Sequence, residues 1–191
     1  MSKIAIFASG AGSNADRILH FLKETQSNVE VDCVLTNKKG VGIYEVTQNH
    51  GVPLFHFSNA DFEEGLLVLQ LLQKRKIEWI VLAGFLRKVE PILVDGYSDR
   101  IFNLHPSLLP KYGGKGMYGK NVHKAVLEAG EIESGISIHL VNSEFDKGEI
   151  VFQAKCTIEK GQTVEELAEK IQKLEHQYFP KTIVQFINEV K

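Results

Sequence analysis

The stretch Ile101-Phe102-Asn103-Leu104-His105-Pro106-Ser107-Leu108-Leu109-Pro110 lies near the middle of the 191-residue chain. Its apolar beginning predicts a buried strand, and Pro106 ends that strand at His105 because proline has no N–H for a central ladder. Alternate side chains of a strand share a face, so we expect Asn103 and His105 to point the same way. Ligands of open α/β sheets bind at the carboxyl ends of the strands. The stretch therefore predicts two polar side chains at the ligand-binding edge of a sheet.

Two interpretations of this strand end remain open. An amide donor and a titratable imidazole at such an edge could stabilise an oxyanion and move a proton. Alternatively, Asn103 and His105 serve only to complete the hydrogen bonds of the loop that follows them. The stretch taken alone does not separate a catalytic from a structural role.

Short apolar strands alternate with helices before and through this stretch, which predicts a parallel sheet with right-handed crossovers. Two later strands, Gly135–Val141 and Glu149–Ile158, are close in sequence and predict an added antiparallel portion. The expected fold class is α/β, a Rossmann-like domain with a mostly parallel central sheet and helices on both faces. We expect residues 1–191 to form one domain, with a phosphate-binding half of about residues 1–100 and a catalytic half of about residues 101–191. The earlier strands are predicted at residues 3–8, 29–36, 53–57, 78–83 and 100–105.

Helix boundaries are predicted from apolar periodicity and from capping residues. A single helix is expected over Asp61–Lys76, where leucines recur on one face. The first helix is expected to begin at Ser13, with Asp16 three residues later as in a capping box. In the last helix, Pro180 is expected to cause a break or a kink.

The composition is that of an ordinary globular protein, with 43% hydrophobic and 24% charged residues. A formal net charge of −2 offers no electrostatic reason to expect nucleic acid or an anionic membrane as a partner. The apolar start is interrupted too early for a signal peptide, and no stretch approaches the length of a membrane span. We therefore expect a cytoplasmic protein.

The two cysteines, Cys33 and Cys156, both fall within predicted strands. Isolated cysteines in apolar strands are usually small core residues, although a disulfide between them stays open. No Cys/His spacing resembles a zinc site, and His20 and His50 are too far apart in sequence to suggest one. We accordingly expect no metal.

A glycine-rich loop, Ser9-Gly10-Ala11-Gly12-Ser13-Asn14, joins the first strand to the first helix. Its glycines permit a close backbone approach, and the amides of Ser13 and Asn14 lie at a helix N-terminus, where a phosphate binds readily. The loop matches neither the dinucleotide-binding pattern nor the P-loop pattern, so neither NAD nor ATP is indicated. It is interpreted as a site for a single phosphate, with a simple tight turn as the alternative.

Two acidic residues and two histidines need interpretation. Asp146 lies in the turn between the last two strands, and near an imidazole it would raise the imidazole pKa and keep the ring cationic near neutral pH. Glu175 lies at the margin of the apolar stripe of the last helix, as a partly buried acid or as a boundary position. His139 and His176 are interpreted as structural residues.

Four stretches, taken in order, resemble the folate-dependent formyltransferases over nearly the whole chain. They are Ala8-Ser9-Gly10-Ala11-Gly12-Ser13-Asn14, Val81-Leu82-Ala83-Gly84-Phe85-Leu86-Arg87, Asn103-Leu104-His105-Pro106-Ser107-Leu108-Leu109-Pro110 and Asp146-Lys147-Gly148. The resemblance implies formyl transfer from the co-substrate 10-formyltetrahydrofolate to the amine of glycinamide ribonucleotide, without a metal. Both reaction partners are small molecules, and the expected assembly is a monomer or a weak homodimer.

The same resemblance implies roles for particular residues. Asn103, His105 and Asp146 would form the catalytic set. The phosphate of the ribonucleotide would bind at Gly12, Ser13 and Asn14, and Glu175 would contact the same substrate. The residues implied to bind folate are Leu86, Arg87, Lys88, Val89, Asn103 and Val141, with the segment 141–146 closing over the pterin.

Two alternatives to this function are considered. One keeps the folate donor and changes the acceptor to another amine, such as that of an amino-sugar nucleotide. The other is a phosphate-binding or folate-binding module without catalysis, an interpretation that the presence of Asn103, His105 and Asp146 argues against.

Overall fold

The computed structural model describes residues 1–190, in which seven strands form one sheet. The strands are β1 (Ser2–Phe7), β2 (Val29–Thr36), β3 (Leu54–His56), β4 (Trp79–Leu82), β5 (Ile101–His105), β6 (Glu133–Leu140) and β7 (Ile150–Thr157). The helices are α1 (Ser13–Glu24), α2 (Ile43–His50), α3 (Asn59–Glu64), α4 (Leu66–Lys74), α5 (Pro91–Gly96), α6 (Lys120–Glu128) and α7 (Val164–Glu189).

The sheet order is β3-β2-β1-β4-β5-β6-β7. The pairs from β3 to β5 are parallel, whereas β5–β6 and β6–β7 are antiparallel. This confirms the predicted α/β class with its antiparallel C-terminal portion. The antiparallel pairing places His139 of β6 directly opposite Asn103 of β5.

Helices cover both faces of the sheet, as the side chains of β1 show by packing alternately into two different apolar clusters. Ile4 and Ile6 pack with apolar residues of α1 and α7. Ala5 and Phe7 pack with residues of α4 and α5 on the opposite face. A third cluster joins α6, β6 and the first half of α7. Within residues 1–190 the structure contains no helix that combines the length and the apolar character needed to span a membrane.

The single helix predicted over Asp61–Lys76 is wrong, because the chain forms two helices that meet at Gly65. Gly65 has a φ of +71°, and a Cβ at this position would lie 2.4 Å from Cγ2 of Ile92. The close approach of α5 therefore requires glycine in a left-handed conformation. Leu66, the first residue of α4, is 50% exposed.

Of the break or kink predicted at Pro180, the break is wrong, since α7 runs through this residue in a helix of 26 residues. Pro180 is buried, and its neighbours Phe179 and Ile183 belong to the cluster against the sheet. Proline deprives a helix of one backbone hydrogen bond. Burial of the apolar residues on both sides of it keeps the helix continuous.

The capping box predicted at Ser13 is absent. The N-cap of α1 is Gly12, whose φ of +83° places it in the left-handed region, and it makes no side-chain cap. The side chain of Asp16 instead bonds to His50 of α2. Packing between the two helices has replaced the local contact that the spacing predicted.

Candidate active site

A cavity of about 440 Å³ opens at the carboxyl ends of β4 and β5, a size usual for small-molecule sites. Gly12 and Ser13 are not among its lining residues, although they directly precede Asn14 at the start of α1. The remaining predicted site residues all line it, namely Asn14, Leu86, Arg87, Lys88, Val89, Asn103, His105, Val141, Asp146 and Glu175.

Asn103 and His105 point to the same side of β5, as the period of the strand predicted. Both meet Asp146, which arrives from the turn between β6 and β7. Nδ2 of Asn103 lies 3.4 Å from Oδ1 of Asp146, and Nδ1 of His105 lies 3.6 Å from Oδ2. The antiparallel return of β6 to β5 therefore brings Asp146 to Asn103, which lies 43 residues earlier in the chain, and to His105.

His139 orients the amide of Asn103. Its Nδ1 is 2.9 Å from the carbonyl oxygen of Leu140, which can only accept, so Nδ1 carries the proton. Nε2 is consequently an acceptor, and Nδ2 of Asn103 donates to it at 3.0 Å. His139 is thus part of the site, and its interpretation as only structural is wrong. The register of β5 and β6 pairs it with Asn103, and no sequence pattern signalled that pairing.

The hydrogen bonds of His105 define its neutral form. Nε2 donates to the carbonyl oxygen of Tyr112 at 2.8 Å, so the lone pair is on Nδ1 and faces the Asp146 carboxylate. Two acceptors face each other there, which is consistent with a separation of 3.6 Å, longer than a hydrogen bond. Protonation of Nδ1 would turn this gap into a charge-assisted contact.

Burial lowers the pKa of His105, although the Asp146 carboxylate and the Tyr112 carbonyl oppose that effect. The expectation that Asp146 keeps the imidazole cationic is therefore wrong in its net direction. Asp146 does favour the charged form, but the loss of solvent around a side chain only 4% exposed outweighs it.

Asp146 is held as an ion by its contacts. Burial opposes its ionisation, but the Gly114 amide and, in their protonated forms, His139 and His105 favour the ion, and the net result is a lowered pKa. The Gly114 N–H donates to Oδ2 at 2.8 Å. The backbone of Asp146 has a φ of +54°, a strained conformation of the kind found at functional sites.

A second polar pair lies across the cavity. Nδ2 of Asn14 in α1 donates to Oε2 of Glu175 in α7 at 2.8 Å. Burial raises the pKa of Glu175, and the bond from Asn14 partly offsets it. Oδ1 of Asn14 is buried and has no partner among the described residues. This pair can receive a ligand that carries hydroxyl donors.

The segment Leu86–Val89 follows β4 and forms one wall of the cavity. The guanidinium of Arg87 bonds to the carboxylate of Glu63 in α3. The ammonium of Lys88 lies 5.7 Å from the ring centre of Phe145, in the turn that also carries Asp146. The wall and the turn therefore face each other across the cavity.

Sequence reasoning missed further lining residues besides His139. His123 of α6 is buried in the wall, and burial lowers its pKa. Gly113 does not line the cavity, but it lies so close to Asp146 that a Cβ there would be 3.2 Å from Cβ of Asp146. The loop 114–119 also lines the cavity, as does Phe145 of the segment 141–146 that the resemblance places over the pterin. No local sequence pattern predicts these contacts, which form only when the loop 114–119 folds over β5.

The chain matches the family model described as formyl transferase over residues 2–183. The chain belongs to the formyl transferase family. This confirms the resemblance inferred from the four sequence stretches. An Arabidopsis thaliana protein named "Phosphoribosylglycinamide formyltransferase, chloroplastic" is 39% identical over 186 residues, covering 95% of this chain. The "Phosphoribosylglycinamide formyltransferase" of Bacillus subtilis is 32% identical, covering 98% of this chain and 95% of its own length.

Solved structures of the formyl transferase family share the fold. The crystal structure of phosphoribosylglycinamide formyltransferase from Bacillus halodurans superposes with a TM-score of 0.91 at 33% identity, covering 100% of this chain and 97% of that one. The chain spans 64% of the Arabidopsis protein and 59% of a second plant relative, from Vigna unguiculata.

Proposed function

We propose that this protein transfers the formyl group of 10-formyltetrahydrofolate to the primary amine of glycinamide ribonucleotide. The products would be formylglycinamide ribonucleotide and tetrahydrofolate, a step of de novo purine biosynthesis. One observation carries the proposal: in a member of the formyl transferase family, Asn103, His105 and Asp146 meet on the wall of a cavity.

The ribonucleotide is assigned to the side of the cavity formed by α1 and α7. The amides of Ser13 and Asn14, in the first turn of α1, are suited to a phosphate because a helix start leaves such donors unpaired. Gly12 would let the phosphate approach the backbone closely. The unpaired Oδ1 of Asn14 and the carboxyl group of Glu175 would accept bonds from ribose hydroxyls.

The folate is assigned to the opposite side, between the wall Leu86–Val89 and Val141. Phe145 closes this space and offers an aromatic face to a pterin ring. Lys88, which lies against Phe145, would meet the negative glutamate tail of the folate. The two substrates would then be neighbours at Asn103 and His105.

The reaction begins when the amine of the ribonucleotide attacks the formyl carbon, forming an N–C bond and a negative oxygen. Asn103 has one proton engaged by His139, while its second proton makes only a long contact of 3.4 Å with Asp146. That second proton is the donor most easily turned to the new oxyanion. A donor in this role typically contributes a few kcal/mol.

His105 moves the proton that attack makes acidic. The neutral imidazole accepts a proton from the new ammonium, and the Asp146 carboxylate, together with the nearby oxyanion, stabilises the resulting cation. The imidazolium then returns the proton to the folate nitrogen as its bond to the formyl carbon breaks. The low pKa that burial gives His105 suits acceptance in the first step.

The proposal extends to the setting of the protein. We expect a cytoplasmic monomer or weak homodimer, in which residues 1–100 supply the phosphate site and residues 101–191 most of the catalytic groups. Neither Cys33 nor Cys156 forms a disulfide, as a reducing compartment would require. Glycinamide ribonucleotide and 10-formyltetrahydrofolate are the only binding partners that the proposed reaction requires.

The test is formyl transfer from 10-formyltetrahydrofolate to glycinamide ribonucleotide by the native chain, by Asn103→Ala and by His105→Ala. We expect native turnover and a loss of kcat of about 100-fold or more in both variants, since each removes a transition-state contact. The matched control is His56→Ala, which removes an exposed histidine outside the cavity.

Each other outcome has a definite meaning. Turnover that is equal in the native chain and His105→Ala would contradict the role of His105 and leave the reaction standing. A folded native protein that transfers no formyl group to glycinamide ribonucleotide would contradict the reaction. The acceptor assay would then be repeated with an amino-sugar nucleotide.

A further inference from the structure

Three metal-ligating side chains meet on the surface formed by α1 and α2, away from the cavity. They are Asp16 and His20 of α1 and His50 at the end of α2, and one ligand atom from each lies within 4.8 Å of the others. Across residues 1–190 no other group of three histidine, cysteine or acidic residues is arranged in this way. None of the three lines the cavity.

We propose that Asp16, His20 and His50 bind a divalent transition-metal ion of the Zn²⁺ class. Two imidazole nitrogens and one carboxylate oxygen are a donor set that suits Zn²⁺ and neighbouring metals, whereas Mg²⁺ and Ca²⁺ prefer oxygen donors alone. The expected metal is therefore identified from the chemical type of the three donor atoms.

The distances between the donor atoms support this assignment. Oδ1 of Asp16 lies 2.8 Å from Nε2 of His50 and 3.6 Å from Nε2 of His20. Bonds of about 2.0–2.1 Å in a tetrahedral zinc site place neighbouring ligand atoms roughly 3.3 Å apart. The observed separations fall on either side of that value, so small side-chain movements would complete the site.

The backbone holds the ligands in position. Asp16 and His20 are four residues apart on one helix, a spacing that puts two side chains on the same face. His50 is brought to them by the packing of α2 on α1, and its side chain is only 12% exposed. His20 is 51% exposed. The three therefore form one side of a coordination sphere whose remaining position is open to water.

Binding would join the two helices beside the glycine-rich loop. The Ile43 N–H at the start of α2 donates to the carbonyl oxygen of Gly10, and Gly12 packs directly against Ile43. A metal ion at the other end of α2 would fix this helix to α1 at a second point. We assign the ion a structural role and no part in formyl transfer.

The experiment is a titration of the native chain with Co²⁺, followed by displacement with Zn²⁺. We expect one ion per chain, visible absorption bands of an imidazole-bound cobalt ion, loss of those bands on adding Zn²⁺, and a higher melting temperature with Zn²⁺. His20→Ala and His50→Ala should each weaken binding by at least about tenfold, a loss that even outer-shell substitutions cause at metal sites.

The matched control is His56→Ala, which removes an exposed histidine outside the cluster and should bind as the native chain does. Because His20 is the most exposed ligand, His20→Gln serves as a second variant that preserves the fold if His50→Ala unfolds. The proposal is overturned if the native chain binds no Co²⁺, or binds it no more tightly than His20→Gln does.

Discussion

At the residue scale, the chemistry of the site depends on a balance at His105. Burial lowers the imidazole pKa, and the Asp146 carboxylate opposes it from 3.6 Å. The Asp146 carboxylate and the lone pair on Nδ1 of His105 face each other without a proton between them. Any negative charge that develops nearby shifts the balance toward the imidazolium, so the site responds to the reaction itself.

Three histidines with lowered pKa values also predict how stability depends on pH. Burial lowers the pKa of His105, His123 and His176. Below about pH 6.5 the unfolded chain therefore binds more protons at these positions than the folded chain does, so folding loses free energy as the pH falls. We expect the free energy of unfolding, measured with urea, to be lower at about pH 5.5 than at about pH 7.5.

The raised pKa of Glu175 has the opposite effect, because it makes folding more favourable as the pH falls. The native chain is therefore compared with a histidine variant in which Glu175 is unchanged. In His123→Gln one buried titrating group is gone, and the loss of stability between the two pH values should become smaller. His56→Gln, which changes an exposed histidine, should show the native dependence. An unchanged slope in His123→Gln would contradict this account.

At the element scale, the conformation of the turn between β6 and β7 sets the position of Asp146. Gly148 ends this turn, and a Cβ there would lie 1.6 Å from the carbonyl oxygen of Leu140. Only glycine lets the turn approach β6 so closely. The position of the Asp146 carboxylate, which we propose to be catalytic, thus depends on a residue that has no side chain and does not line the cavity.

We expect Gly148→Ala to push the turn away from β6 and to lower kcat by at least about tenfold, since a misplacement near 1 Å can cost about 100-fold. Steady-state kinetics would measure this, with circular dichroism to establish folding. Ser143→Ala, an exposed position in the same turn, is the matched control and should keep native kcat. Native kcat in a folded Gly148→Ala would show that the turn tolerates the shift.

At the scale of the whole molecule, the two halves share one core. Trp79 of β4 stacks on Phe102 of β5 with ring centres 5.4 Å apart, and Phe186 of α7 packs edge-on against both. The sheet and the pairing of α1 with α7 also cross the boundary near residue 100. We expect the two halves to unfold together.

The prediction is a single unfolding transition, seen identically by the fluorescence of Trp79, which is the only tryptophan, and by far-ultraviolet circular dichroism. Phe102→Ala should lower the free energy of unfolding by about 3–5 kcal/mol and shift both signals together. Leu67→Ala, at a side chain 51% exposed, should change stability little. Separate transitions for the two signals would contradict a shared core.

The sequence by itself determined the alternation of strands and helices in the parallel part, the end of β5 at His105 and the shared side of Asn103 and His105. These follow from local rules: alternation along a strand, the missing N–H of proline, and glycines at a strand-to-helix turn. The break at Gly65 and the continuity of α7 through Pro180 did not follow. Each depends on what packs against the helix, Ile92 in one case and the apolar sheet face in the other.

Tertiary structure alone decided the state of His105, the place of His139 and the meeting of His20 with His50. A pKa depends on burial set against nearby charge, and both are sums over neighbours from several elements. His139 reaches Asn103 only through the register of antiparallel strands, and His50 reaches Asp16 only through the packing of two helices. Such contacts join residues far apart in the chain, so no local pattern encodes them.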